Sequence, residues 1–298
     1  MEAKLSPVVA GVDGSAESLS AAEWAAREAL RRGRPLLLVH AFRRHPRQQA
    51  DASENGAPPR DVLRAAAEHL RRACPGVRVA DEPVEGPAPE ALLRAAEDAE
   101  LLVVGSRGLS GIKGLLVGSV ALAVVADATR PVVLVRAGEQ TEDEPADGTG
   151  PPTGCPDVVL GIDVADPCDE VIEFAFEAAR LRKARLRVLY AWHAPSPFGL
   201  GNGDIGLVSG AERAAEWLRF LSAVLHPWRE KYPRVEVLES VLADKPSTGL
   251  VRAASSASLL VVGRRRRLTA RADGSHTGPI THAVIRRAGC PVAVVPHA

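Results

Sequence analysis

Residues 101–120 read LLVVGSRGLSGIKGLLVGSV. An apolar, strand-like run ends at Gly105; Gly108 and Gly118 follow, and Ser119 opens a helix-like stretch. Glycine lets backbone N–H groups approach an anion with no Cβ in the way, and a helix N-terminus adds a partial positive charge. Read alone, such a loop is as easily a tight turn as a phosphate cradle. What surrounds it decides between them.

The chain opens with a second strand-like run, PVVAGVDGS, that carries Asp13, and LLLVHAF follows one strand–helix–strand unit later with Ala41 near its end. An aspartate in this place also suits a turn or a helix cap, and Ser15 suits the cap of the first helix. Between these runs lie amphipathic stretches such as SAESLSAAEWAAREALRRG and PEALLRAAEDA. Strands alternating with helices predict an α/β fold with a parallel sheet covered on both faces. Strands are expected near 7–12, 35–41, 77–84, 101–105 and 131–136.

The whole arrangement then recurs. LLRAAEDAELLVVG, ending at Gly105, aligns without gaps to LVRAASSASLLVVG, ending at Gly263, with ten of fourteen residues identical. Asp13 precedes Ala41 by 28 residues, and Asp163 precedes Ala191 by 28. Gly118 and Gly278 each stand 13 residues before a proline, Pro131 or Pro291, that opens an apolar run. The chain is a tandem duplication. AGEQTEDEPADGTGPPTG, residues 137–154, is acidic, rich in Gly and Pro and without apolar periodicity. The expected division is a first domain over 1–138, a linker over 139–155 and a second domain over 156–298.

The first half resembles the universal stress protein family, whose nucleotide-binding members carry G-x2-G-x9-G-[ST]; Gly105, Gly108, Gly118 and Ser119 match it without gaps. The resemblance implies two doubly wound domains, each a five-stranded parallel sheet of order 3-2-1-4-5. It implies ATP, with Mg2+ able to accompany the phosphates, as the ligand of a stress-response regulator. Asp13 would lie against the adenosine, the backbone near Val12 and Ala41 would read the adenine edge, and Gly105, Arg107, Gly108, Gly118, Ser119 and Val120 would hold ribose and phosphates. It further implies an internal pseudo-dimer with the last strands of the two halves near the pseudo-twofold axis, and leaves a homodimer of the whole chain open.

The second half keeps Asp163, Ala191, Gly263 and Gly278, but its loop is two residues longer, Arg266 stands where Gly108 would fall, and Pro279 replaces Ser119. Proline starts helices well but brings neither N–H nor hydroxyl. Arg264 to Arg267 admit two readings, guanidinium groups gripping phosphate or a solvated charge run. His276 and His282 flank Gly278 with no matching carboxylate or thiol beside them, so a metal pair is not expected.

Composition narrows the function. Basic and acidic residues balance at 37 each, which argues against a nucleic-acid partner. The apolar runs are strand-sized and the start, MEAKLSPVVAG, lacks signal-peptide organisation, so a cytoplasmic protein without a membrane partner is expected. Cys74, Cys155, Cys168 and Cys290 show no paired spacing and read as reduced thiols. No residue stands out as a catalytic base, so at most slow ATP hydrolysis is expected. The alternatives are a nucleotide-free interaction module or an adenylating enzyme, although the S-G-G-x-D-S and H-x-G-H elements usual in the latter are missing.

Overall fold

Each half is built from apolar runs that must be buried on both faces and can therefore only be central parallel strands. A computed structural model describes residues 5–43, 58–106, 117–136, 156–192, 210–266 and 277–298. The first half runs β1 (Val8–Gly11), α1 (Ala16–Arg32), β2 (Leu36–Phe42), α2 (Pro59–Ala73), β3 (Val79–Glu85), α3 (Ala88–Ala95), β4 (Leu101–Gly105), α4 (Ser119–Asp127) and β5 (Val132–Val135). The second repeats it with β6 (Val158–Gly161), α5 (Asp169–Arg182), β7 (Leu186–Trp192), α6 (Gly210–Lys231), β8 (Val237–Ala243), α7 (Pro246–Ala254), β9 (Leu259–Arg265), α8 (Pro279–Arg287) and β10 (Val292–His297).

All ten strands form one sheet of order β3-β2-β1-β4-β5-β10-β9-β6-β7-β8. Each half has the order 3-2-1-4-5 and is parallel throughout. The halves meet at one antiparallel seam, where Val132, Val133 and Leu134 pair with Val294, Ala293 and Val292. Apolar layers cover both faces and run unbroken across the halves. One gathers α1, α2, α5 and α6 through residues such as Trp24, Leu63, Phe176 and Leu221. The other gathers α3, α4, α7 and α8 through Leu92, Val124, Leu250 and Ile285.

Local chemistry sets the element ends. Ser15 caps α1, its Oγ accepting from the Ser18 N–H, and Gly33 closes that helix in the left-handed region at φ 63. Lys183 closes α5 at the same place in the repeat with φ 52, a conformation that a side chain makes costlier. Pro59, Pro246 and Pro279 begin α2, α7 and α8 at the first turn, where a missing N–H costs nothing.

The seam is reinforced by buried charge. Glu28, on α1 and fully buried, accepts from Arg182 of α5 and from Arg32, each at 2.7 Å. Arg32 lies over the Phe174 ring and Arg182 over the Trp24 ring, so equivalent positions of the repeat clasp each other across the pseudo-twofold. Burial alone would raise the Glu28 carboxyl, but the guanidinium groups of Arg182, Arg32 and Arg31 together outweigh it and hold it at about 2. Burial pushes Arg182 down from the ordinary guanidinium range, yet a guanidinium starts so high that the pair remains ionised.

Candidate functional site

In the order 3-2-1-4-5 the chain reverses its direction of sheet growth between the first and fourth strands, and a crevice opens there beyond the strands' carboxyl ends. In the first half this crevice is a cavity of about 260 Å³. Val12 and Asp13 reach it from the end of β1, Val39 and Ala41 from β2, Val104 and Gly105 from β4, and Gly118, Ser119, Val120 and Ala121 from the start of α4. Seven residues singled out in the sequence, Val12, Asp13, Ala41, Gly105, Gly118, Ser119 and Val120, thus share one wall system. Arg107 and Gly108 lie outside the described residues.

Asp13 is held as well as placed. Its Oδ1 accepts from the Ser15 N–H at 2.9 Å and from the Ser15 hydroxyl, while its own N–H donates to Ser18 Oγ at 3.2 Å. The turn-forming and crevice-lining readings of Asp13 are therefore compatible: the turn fixes the side chain at the rim. Val12 donates its N–H to the Val39 carbonyl, and its own carbonyl accepts from His40 Nδ1 at 2.7 Å. The partners of both its backbone groups are thus protein groups.

The opposite wall is the N-terminus of α4. Gly118 has φ −63 and ψ 150, extended backbone open to any residue, so what glycine contributes here is the missing Cβ. Its N–H donates to the Ser106 carbonyl at 2.8 Å, which ties the end of β4 to the start of α4. The N–H groups of Ser119, Val120 and Ala121 belong to the first turn of a helix, where no preceding carbonyl of the helix can satisfy them, and the helix dipole favours an anion in front of them.

Sequence reading missed Gly11, Ser18, Val39, Ala88, Leu92, Val104 and Ala121, which also line the cavity. The repeat carried a signal for two of them. A Cβ on Gly11 would lie 2.9 Å from Leu92 Cδ2, and one on Gly161 would lie 2.7 Å from Leu250 Cδ2. Gly11 with Leu92 and Gly161 with Leu250 are matched positions of the two halves, a glycine kept so that a leucine can close the crevice's inner wall.

The second crevice, about 690 Å³, includes Asp163, Ala191, Gly263 and Gly278, all four expected there. Arg264 and Arg265 do not present a phosphate grip, while Arg266 is exposed. Arg264, read above as either a phosphate ligand or part of a solvated run, is neither: it is buried and donates to the carbonyls of Ala126, at 2.8 Å, and Ala128, at the C-terminus of α4 in the other half. Arg265 is paired with Asp166 at the rim. Arg267 and His276 lie outside the described residues, and His282, in the first turn of α8, is not on the crevice wall. The Cys168 thiol donates to Glu170 Oε2 at 2.8 Å, and burial followed by that bond pushes it up, away from the reactive thiolate. Among the described residues no cluster of three metal-ligating side chains occurs, and no helix is long and apolar enough to cross a membrane.

The profile of the universal stress protein family matches residues 4–136 and again residues 156–296. The chain belongs to the universal stress protein family. Two universal stress proteins of Mycobacterium tuberculosis are similar to it from end to end. One is 29% identical over 308 residues, covering 96% of this chain and 94% of its own length; the other is 30% identical over 301 residues, covering 96% of both. The crystal structure of a universal stress protein from Archaeoglobus fulgidus superposes with a TM-score of 0.67 over 98% of each chain at 18% identity, a likeness of fold.

Proposed function

We propose that this universal stress protein is an ATP-binding regulator whose first half holds the nucleotide and whose occupancy alters its conformation or its contacts with partners. One observation carries the reading. Residues from four separate segments, Val12–Asp13, Ala41, Gly105 and Gly118–Val120, converge on a single cavity at the switch point of the sheet. An apolar floor between Val39, Leu92 and Val104 suits a flat base, and Asp13 at the rim suits a ribose hydroxyl. The first turn of α4 together with Gly105 and Gly118 suits the phosphates. A Mg2+ ion would arrive on those phosphates rather than in a cage of side chains. The division into domains 1–138 and 156–298 around a linker 139–155 belongs to the same proposal, as does a cytoplasmic setting.

A regulator is preferred to an enzyme because the described wall offers donors and an acceptor for binding and no carboxylate or imidazole beyond Asp13 to act as a base. The test is direct. Chain stripped of nucleotide is titrated with ATP by calorimetry, alongside Asp13→Ala and Ala41→Trp, the second filling the cavity from its floor. Asp13→Ala is expected to weaken ATP about tenfold, the loss of one hydrogen bond to a charged group, and Ala41→Trp to abolish binding, both with parental unfolding curves. Unaltered ATP affinity in a folded Ala41→Trp variant removes the first crevice from the function and favours the nucleotide-free interaction module.

A further inference from the structure

We infer that the second crevice is a nucleoside site: it accepts a purine nucleoside and discriminates against the phosphate chain that the first crevice takes. The inference rests on the ATP reading of the first half for the identity of the base, and the two can fail separately.

The floor of the crevice is retained position by position. Gly161, Ile162, Asp163, Leu189, Ala191, Leu250, Val262 and Gly263 line it where Gly11, Val12, Asp13, Val39, Ala41, Leu92, Val104 and Gly105 line the first. Asp163 is fixed as Asp13 is, its Oδ1 accepting from a backbone N–H two residues on, that of Ala165, at 3.0 Å. A base and a ribose meet the same apolar slot and the same carboxylate in both halves.

The phosphate end keeps Gly263 and Gly278 but differs at the helix start and beside Gly263. Pro279 opens α8 where Ser119 opens α4, so the first-turn donor and the hydroxyl are both gone. His297 stands on Gly263, its Nε2 only 3.0 Å from where a Cβ would be, and takes up the space beside that glycine. Two of the nearby arginines are committed, Arg265 to Asp166 and Arg264 to two carbonyls of the other half, while Arg266 is exposed near Glu170.

A second feature points to a ligand. Trp192 lines this crevice, is 9% exposed, and its indole Nε1 is buried with no acceptor among the described residues. A buried donor left unmade costs about 1–3 kcal/mol, and an oxygen or ring nitrogen on a bound nucleoside would satisfy it. The first half has Phe42 at the matching position, with no donor to satisfy. The larger volume, about 690 Å³, accommodates an intact nucleoside.

The experiment titrates nucleotide-free full-length protein separately with adenosine and with ATP, reading stoichiometry by calorimetry. The parent should bind two adenosines but one ATP per chain. Ala191→Trp, which fills the second floor, should bind one adenosine and still one ATP; Ala41→Trp should bind one adenosine and no ATP. Trp192→Phe, which installs the residue of the first half, should weaken the second adenosine about tenfold and serves if Ala191→Trp does not fold. Two ATP per chain with one lost in Ala191→Trp overturns the inference, because the second crevice then takes phosphate. So does a parent stoichiometry of one adenosine that neither second-half substitution alters. Loss of ATP binding in the parent, with an adenosine site that Ala191→Trp removes, would sink the first-half reading and leave this one standing.

Discussion

Glu28 is the residue on which the two halves lean most heavily. Its position in the second half is occupied by Ala178, so one carboxylate serves Arg32 and Arg182 together. With its carboxyl held at about 2 against an ordinary 4.5, it contributes stability that is complete above about pH 4.5 and is lost as pH falls through about 2. That shift corresponds to on the order of 3 kcal/mol. Urea midpoints measured between pH 7 and pH 3 should therefore fall in the parent and fall less in Glu28→Gln. At neutral pH Glu28→Gln should already be destabilised by about 3–5 kcal/mol, because the buried Arg182 guanidinium loses its counter-charge and Arg32 is left with Glu100 alone. A neutral-pH loss under about 1 kcal/mol would mean that water reaches the pair.

Among the elements, α4 joins site to seam. Its first turn lines the first crevice, and its last carbonyls receive Arg264 from β9, a cation where the helix dipole wants one. Arg264→Ala should cost about 2–3 kcal/mol and should raise amide hydrogen exchange in α4 more than in α3; equal exchange in both helices would deny the tie. Ser119→Pro transplants the second half's helix start into the first. Gly118 already has the extended backbone that a residue before proline prefers, close to the φ −54 and ψ 156 of Gly278, so the fold should tolerate it. ATP should weaken about tenfold, by the loss of one donor to an anion, while adenosine is unchanged; a matching loss of adenosine would show that the substitution had deformed the whole crevice. This helix also marks where sequence reading stopped. Strands β1, β2, β4 and β5 were legible because doubly buried strands are written as unbroken apolar runs, and the cavity was legible because its glycines and Asp13 fall at strand ends. β9 was not legible to its end: it continues to Arg265, past the apolar run, because Arg264 finds its partners on another element, and no local pattern records a partner 138 residues away.

At the scale of the whole molecule the duplication is folded as one object. Both apolar layers cross the seam, three residue pairs knit β5 to β10, and the α1–α5 clasp lies over it. Calorimetric unfolding should accordingly be a single transition whose calorimetric and van't Hoff enthalpies agree. Ala293→Asp combined with Glu28→Ala, which puts a charge into the seam and removes the clasp, should split it into two; a parent that already melts in two steps would mean that the halves are energetically independent. The twofold symmetry of the strand order was readable from the repeat, but the charges that secure it were not, since Glu28 sits in an ordinary amphipathic helix pattern. Among the described residues the sheet ends at β3 and β8, because β5 and β10 shield each other's edge. Only the stretch from Val135 to Val158 separates the end of one half from the start of the next. Tethered this closely, the halves meet at an effective concentration on the order of millimolar. A seam too weak to hold two separate chains together in dilute solution therefore stays closed here. Residues at the second crevice, such as Pro279 in place of Ser119, can therefore differ without putting the partnership at risk.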